Sequence, residues 1–353
     1  MANDTPSTMF AWRKHKGVPE PIWEEIPVPQ PSRTEVLVKM LASGVCRSDI
    51  SLLANDKQSS WFREEYTLGH EVCGQITQLG EGVGETMLKE GDIVALYPVP
   101  GCRRQDCPEC SRDLHQTCES GHHSGIGQDG FYAPYAVVDA RAVVLVPSGV
   151  SPAVAAVATD AVTTAYHGIV RRAEVKKDET VLLFGLGGLG INALQIILNV
   201  GARVIVSDPR EACQTTARSL GVPAEDIVPT NVPLQEFVRE NGLENRIDTV
   251  LDFVGRHQTF EDGQQIVRRG GKILCIGTLD YDNTVHMKVG TRKQLSFIFS
   301  YGGQVEELEE VLQMIAKGAI RPVVEERPMS ALPEVLKGLE AGTVDSRVAL
   351  THE

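Results

Sequence analysis

The run Gly185-Leu186-Gly187-Gly188-Leu189-Gly190 lies between the apolar segment Thr180–Phe184 and the apolar segment Leu189–Val200. A glycine run that closes a strand and opens a helix constrains a chain strongly: it demands a strand, a tight turn and a buried helix in that order. Glycines let the backbone approach a pyrophosphate, and the helix N-terminus offers unpaired N–H groups and positive potential. The next apolar run, Arg203–Ser207, is followed by Asp208, where a carboxylate accepts hydrogen bonds from adenosine ribose hydroxyls and repels a 2′-phosphate. NAD is therefore the expected cofactor, held by Gly185, Gly187, Gly188, Leu189, Gly190 and Asp208; nearby Arg210 is the one feature suited to a 2′-phosphate. By hydropathy alone, Val181–Ala202 is long enough to span a bilayer, but its glycines and Asn192, Gln195 and Asn199 interrupt it.

Alternation continues downstream. Helices are expected over Arg210–Leu220 and Phe260–Val267, and strands over Asp248–Phe253, Lys272–Ile276 and Leu295–Phe299. Strands apolar on both faces and interleaved with helices indicate a parallel sheet covered on both sides. Val254 and Gly277 follow two of these strands, where ligands lie in such folds. The first 150 residues read differently. Glu35–Leu41, Val72–Leu79, Asp92–Tyr97 and two pieces of Val137–Val146 are short strand signals punctuated by Gly and Pro, the pattern of a barrel-like β domain. Ser151-Pro152 starts a helix, with a hydroxyl N-cap and proline at the first helical position. An amphipathic helix follows Val305 and ends at Gly318; a short helix near Leu332–Leu339 and a strand near Arg347–Leu350 complete the chain.

The 353 residues suit about two domains. Charge is 34 basic against 47 acidic residues, −13 net, which repels phosphate backbones and anionic lipid and argues against nucleic-acid and membrane partners. Met1–Thr8 is polar, and the apolar residues after it are broken by Arg13, Lys14 and Lys16, unlike a secretory leader; a cytoplasmic protein is expected. Four of the eight cysteines cluster as Cys102-x4-Cys107-x2-Cys110-x7-Cys118. In such a chain, clustering favours thiolate–metal chemistry over disulfides, and four thiolates in a short polar loop suit a closed structural zinc site.

A second constellation joins Cys46, in Gly44-Val45-Cys46-Arg47-Ser48-Asp49, to His70, in Gly69-His70-Glu71. Each donor stands beside a carboxylate, and zinc takes thiolate, imidazole and carboxylate ligands with one position open when catalytic. Asp49 is suited to hold the second imidazole nitrogen of His70. Together with Asp160 to Tyr166, the glycine loop, the cysteine cluster and the Asp345–Leu350 tail, these motifs resemble the zinc-dependent alcohol dehydrogenases of the medium-chain dehydrogenase/reductase family over nearly the whole chain.

The resemblance implies an α/β fold: a GroES-like β-rich catalytic domain over 1–161, a Rossmann doubly wound parallel sheet over 162–300, and a return of 301–353 to the first domain. It makes Cys46 and His70 catalytic zinc ligands. Asp160 stands where many members carry a third, cysteine ligand, and Glu71 is the alternative. It assigns Ser48 the first proton transfer, and Arg47 and Arg347 the pyrophosphate. Two departures stand out: two extra residues after Cys102 leave its place in the structural site open, and Ser51 replaces a relay histidine, with His167 as a conceivable substitute. The activity implied is reversible hydride transfer between an alcohol and NAD, in a homodimer or homotetramer. Trp61, Phe62 and Tyr66, in the segment before His70, point equally to an apolar or aromatic substrate and to core packing. A biosynthetic carbonyl reductase using NADH or NADPH, a polyol dehydrogenase and a non-catalytic cofactor-binding sensor are the competing readings.

Overall fold

A computed structural model describes residues 5–55, 59, 61–84, 87–344 and 346–352. The chain divides into two compact units, one of Met1–Thr163, Gly303–Lys317 and Pro322–Glu353, the other of Thr164–Gly302 and Gly318–Arg321.

The first unit opens with β1 (Thr8–His15), β2 (Ile22–Pro27), β3 (Glu35–Val45), β4 (Glu65–Thr67), β5 (Glu71–Leu79), β6 (Ile93–Leu96), β7 (Tyr135–Asp139) and β8 (Val143–Leu145). The second holds β9 (Thr180–Phe184), β10 (Arg203–Ser207), β11 (Thr249–Asp252), β12 (Lys272–Cys275) and β13 (Ser296–Phe299); the chain ends in the first unit with β14 (Val324–Pro328) and β15 (Arg347–Thr351).

β3 organises the first unit. Its first half pairs with β7 (Glu35↔Asp139 to Lys39↔Tyr135), its last residues pair with β15 (Val348↔Val45), and it pairs with β5 along its length. The β3–β5 register slips between Met40 and Ala42, a bulge that bends the strand, as β-bulges do. Past that bulge Gly44 lies opposite Glu71. The register therefore sets Cys46, just beyond β3, near His70, just before β5, while Arg347 starts the strand on the other side. A smaller antiparallel sheet, β2-β1-β4, was not legible as strands because charged residues interrupt its outer face.

The helical segment Pro152–Arg172 begins as expected, with Ser151 Oγ accepting from Val154 N at 3.4 Å. Among the described residues it is long and apolar enough to cross a membrane, yet 83% of its most apolar window is buried inside the protein, as in a core helix. Val181–Ala202 is a strand, a turn and the helix Gly190–Val200.

In the second unit all strand pairs are parallel, in the order β10-β9-β11-β12-β13. One parallel bridge, Val206↔Ile227, with Val228 N donating to Val206 O at 3.0 Å, continues the sheet outside β10. Counting that bridge as a rudimentary strand gives the order 3-2-1-4-5-6 of a dinucleotide-binding sheet. Its core joins Leu182, Ile205, Val250 and Ile273 from successive strands.

Candidate active site

Cys46 is the N-cap of the helix Arg47–Ala54. Asp49, three residues on, is fully buried and turns back: its Oδ2 accepts from Cys46 N at 3.1 Å and from the Tyr132 hydroxyl at 2.7 Å. Its Oδ1 faces His70 Nδ1 at 3.3 Å. The other imidazole nitrogen, Nε2, lies 3.8 Å from Asp160 Oδ2, which is itself 3.4 Å from Cys46 Sγ. Ligand atoms of Cys46, His70, Glu71 and Asp160 all fall within 4.8 Å of one another.

Each donor has a local cause. Gly69 adopts φ +92°, and a Cβ there would meet the Tyr132 ring at 2.5 Å, so only glycine lets the chain enter β5 with His70 facing inward. Gly44 has the same role opposite Glu71, whose side chain occupies the space a Cβ would need. Asp160 sits where the helix widens: Thr163 N bonds to Ala158 O, an i→i+5 turn of the kind that often marks functional sites.

Asp160 is 20% exposed, so the argument that a buried carboxylate needs a partner does not apply to it. It applies to Glu71, which is fully buried, with Oε2 lacking any hydrogen-bond partner and Oε1 paired with Arg347. Arg347, expected to meet the pyrophosphate, forms this pair through Nη2. Its guanidinium is buried beside Glu71, because β15 lies beside the end of β3, and its Nε has no hydrogen-bond partner. Burial pushes the Glu71 carboxyl up, and the Arg347 guanidinium beside it acts in the opposite direction. Burial opposes charge on His70, but Asp49 and Cys46 outweigh it and raise the imidazole well above its ordinary value. Clustered thiol, imidazole and carboxylates, one with an unpartnered buried oxygen, make a donor set that fits zinc. Ser48 is exposed at the rim, its Oγ 3.5 Å from Cys46 Sγ. Exposed Arg47 bonds Leu339 O at 3.1 Å. Ser51 is exposed, and His167 is buried in a second wide helical turn of the other unit.

The four sulfurs of Cys102, Cys107, Cys110 and Cys118 also lie within 4.8 Å of one another, Cys102 included. The extra residues bulge outward: Arg103 takes φ 56°, and its guanidinium meets Pro100 O and the Glu306 carboxylate. Four free thiols converging in short 3₁₀ turns fit a closed zinc site.

In the second unit Gly185 has φ +85°, and a Cβ would meet Val254 Cγ2 at 2.6 Å; a Cβ on Gly190 would collide with the Gly185 carbonyl. Such a cradle, opening onto the N-terminus of the helix Gly190–Val200, fits a dinucleotide. Gly187 and Leu189 lie in the turn, and Gly188 O accepts from Asn192 Nδ2 at 2.9 Å. Asp208 is nearly fully buried, and its oxygens are already engaged: Oδ2 accepts from Leu186 N (2.7 Å) and Arg210 Nη2 (2.9 Å), Oδ1 from Arg210 N (2.9 Å) and Nε (3.0 Å). Asp252 ties the neighbouring strand ends. Its carboxylate accepts from Val254 N and Gly255 N, and its carbonyl from Gly277 N.

Of the aromatic residues before His70, Tyr66 is fully buried in the core with Leu68 and Tyr132. Trp61 stacks on His123 at 4.9 Å, and Phe62 covers Gly127, where a Cβ would strike its ring. Residues 56–58 and 60 of that segment, and Asp345 of the tail motif, lie outside the described residues. Tyr132, bonded to Asp49, is a site residue with no sequence signal: its contacts come from segments far apart in the chain.

Comparison with known proteins agrees with this geometry. Residues 32–148 match the alcohol dehydrogenase GroES-like domain, and residues 188–317 the zinc-binding dehydrogenase family. An alcohol dehydrogenase of a Moraxella species is 29% identical, over 93% of this chain and 95% of the relative. The acryloyl-coenzyme A reductase of Metallosphaera sedula is 31% identical, over 90% and 91%. The solved acetophenone reductase of Geotrichum candidum, in complex with NAD, superposes with a TM-score of 0.89 at 30% identity, covering 99% of both chains. A GroES-like β domain, a dinucleotide-binding sheet and two zinc-suited clusters on one chain thus coincide with sequence relatives along nearly its whole length, and the chain belongs to the zinc-binding alcohol dehydrogenases of the medium-chain dehydrogenase/reductase family.

Proposed function

We propose that Cys46, His70 and Asp160 hold the zinc of an NAD-dependent alcohol dehydrogenase, with Glu71 as a fourth donor in reserve. Convergence of these side chains within 4.8 Å carries the reading. When bound, zinc supplies the Lewis acidity that lowers the pKa of an alcohol hydroxyl, and NAD accepts the hydride. The chain does the rest. Asp49 fixes the His70 ring and its tautomer. Arg347 neutralises Glu71, so that the buried carboxylate does not add uncompensated charge. Ser48, exposed beside Cys46, takes the hydroxyl proton; with Ser51 in place of a histidine, solvent completes the relay. The first unit is the catalytic domain and the second the NAD domain, the chain passing to the second after Thr163 and back at Gly303. In the NAD domain the glycine turn and Asp208 take the adenosine half of NAD, and Val254 and Gly277 border the nicotinamide.

Trp61 and Phe62 favour an apolar or aromatic alcohol, or the matching ketone; a relative named acetophenone reductase supports that choice. A second zinc in the four-cysteine lobe is structural. We assign the enzyme to the cytoplasm as a homodimer or homotetramer. The outer edge of β13 and the exposed Phe299, Tyr301 and Met287 of the second unit offer a self-pairing surface. The test is a panel of aromatic and aliphatic alcohols with NAD, and their carbonyls with NADH, followed by cofactor absorbance. Turnover that survives both Cys46→Ser and a chelator would remove the zinc reading.

A further inference from the structure

Tyr132 meets the zinc-suited cluster at three points, none of them a metal ligand. Its hydroxyl donates to Asp49 Oδ2 at 2.7 Å and lies 3.0 Å from Gly44 O, two residues before Cys46. Its ring fills the space beside Gly69, immediately before His70. Its backbone is pinned as well: Tyr132 N donates to Leu68 O at 2.8 Å, and Tyr132 O accepts from Trp12 N at 2.9 Å. The side chain is fully buried, so no water competes for Asp49 from that side.

The consequence lies in how Asp49 is loaded. It is a fully buried carboxylate whose Oδ1 is turned to His70 Nδ1. That orientation holds only while Oδ2 is satisfied elsewhere, and its two donors are Tyr132 and Cys46 N. A buried carboxylate that loses a donor swings to recover it. Cys46 N cannot follow, since it caps the helix Arg47–Ala54. We propose that Tyr132 is a positioning residue of the catalytic zinc site: by anchoring Asp49 it aims the His70 ring, and by filling the space at Gly69 it sets the distance between the Cys46 and His70 segments. This rests on reading Cys46, His70 and Asp160 as zinc ligands. Partners that orient a metal-bound imidazole are worth about 10–100-fold in metal affinity.

The test loads wild type and Tyr132→Phe with cobalt(II), whose visible bands separate the mixed-donor site from the four-thiolate lobe. Release to dipicolinate is then timed at each. The substitution keeps the ring, and with it the packing against Gly69. Expected are shifted mixed-donor bands and about tenfold faster release from that site, with the lobe bands unchanged. On an Asp49→Asn background, the same substitution should change the release rate less than about twofold, because the path through Asp49 is already cut. Unaltered bands and release in Tyr132→Phe, or an equal effect on both backgrounds, overturn the inference while leaving the zinc ligands standing. Wild type without a mixed-donor spectrum overturns the ligand reading, and this inference with it.

Discussion

Around Cys46 the donors arrive from separate parts of the chain: the end of β3, the start of β5 and the wide turn at Asp160. Around Cys102 they arrive from one loop, packed mainly on each other. The first cluster is framed by a seven-stranded sheet whose register already sets Gly44 opposite Glu71. The second has only 3₁₀ turns, Cys110–Arg112 and His115–Thr117, and backbone bonds such as Cys118 N to His115 O. Donor chemistry differs too. Mixed thiol, imidazole and carboxylate donors make up the first cluster and four sulfurs the second, and each has one partly exposed member, Asp160 and Cys102. Where the fold positions the donors, metal adds chemistry; where the donors are the fold, metal adds structure.

The sharpest way to break this contrast is Cys46→Ser. Turnover should fall by about 10³-fold or more, roughly 4 kcal/mol of transition-state stabilisation, because Lewis acidity at the reacting oxygen is lost. The β3–β5 frame should persist, with zinc content falling from two to one per chain. Elemental analysis and circular dichroism check both halves, and an unfolded variant would refute the idea that the sheet holds this cluster. Cys107→Ser should do the reverse. It should cost about 3 kcal/mol of stability, at the upper end for a single substitution, and expose Arg103, Arg104 and Arg112 to trypsin. Turnover of the folded fraction should stay within about tenfold of wild type, since no lobe sulfur belongs to the other cluster. Equal loss of activity in the two variants would erase the distinction.

Legibility in the sequence follows the same division. Strands β9 to β12 of the second unit are largely buried on both faces, so they appear as apolar runs, and Thr180–Phe184 and Arg203–Ser207 match β9 and β10 residue for residue. β1 and β2 are half exposed and carry Arg13, Lys14, Glu24 and Glu25; their partners lie far along the chain or across a turn, and no local run betrays them. Buried Lys14 donates its ammonium to the carbonyls of Val18 and Leu53, which no pattern encodes. The third strand of the dinucleotide sheet shrinks to one bridge at Ile227 and falls below any periodicity. At the site, ligand types were legible from residue chemistry and spacing. The burial of Arg347 against Glu71, the wide turn under Asp160 and the Tyr132–Asp49 bond were not, because each depends on register between strands or on packing between distant segments.

Asp208 adds a third arrangement to the comparison, a polar set closed by the chain itself. Burial works against its charge, but the Arg210 guanidinium and the N–H groups of Leu186 and Arg210 outweigh it and hold the carboxyl below its ordinary range. A folded pKa lowered in this way means that the stability it contributes is present above the unfolded value of 3.8 and is lost only as pH falls through the folded one. NAD affinity should therefore show no step from Asp208 between about pH 5 and pH 9. Arg210 occupies acceptor positions that ribose hydroxyls need, and it also partly cancels the charge that repels a 2′-phosphate. The two residues should consequently act in opposite directions on cofactor choice. Asp208→Ala should lower the preference for NAD over NADP by about tenfold, some 1.4 kcal/mol, while Arg210→Ala should raise it by a few-fold as Asp208 is unmasked. Ratios of kcat/KM for the two cofactors measure both. Movement of the ratio in the same direction in both variants would mean that the Asp208–Arg210 pair acts as a structural clasp on the glycine turn and leaves ribose recognition to other groups.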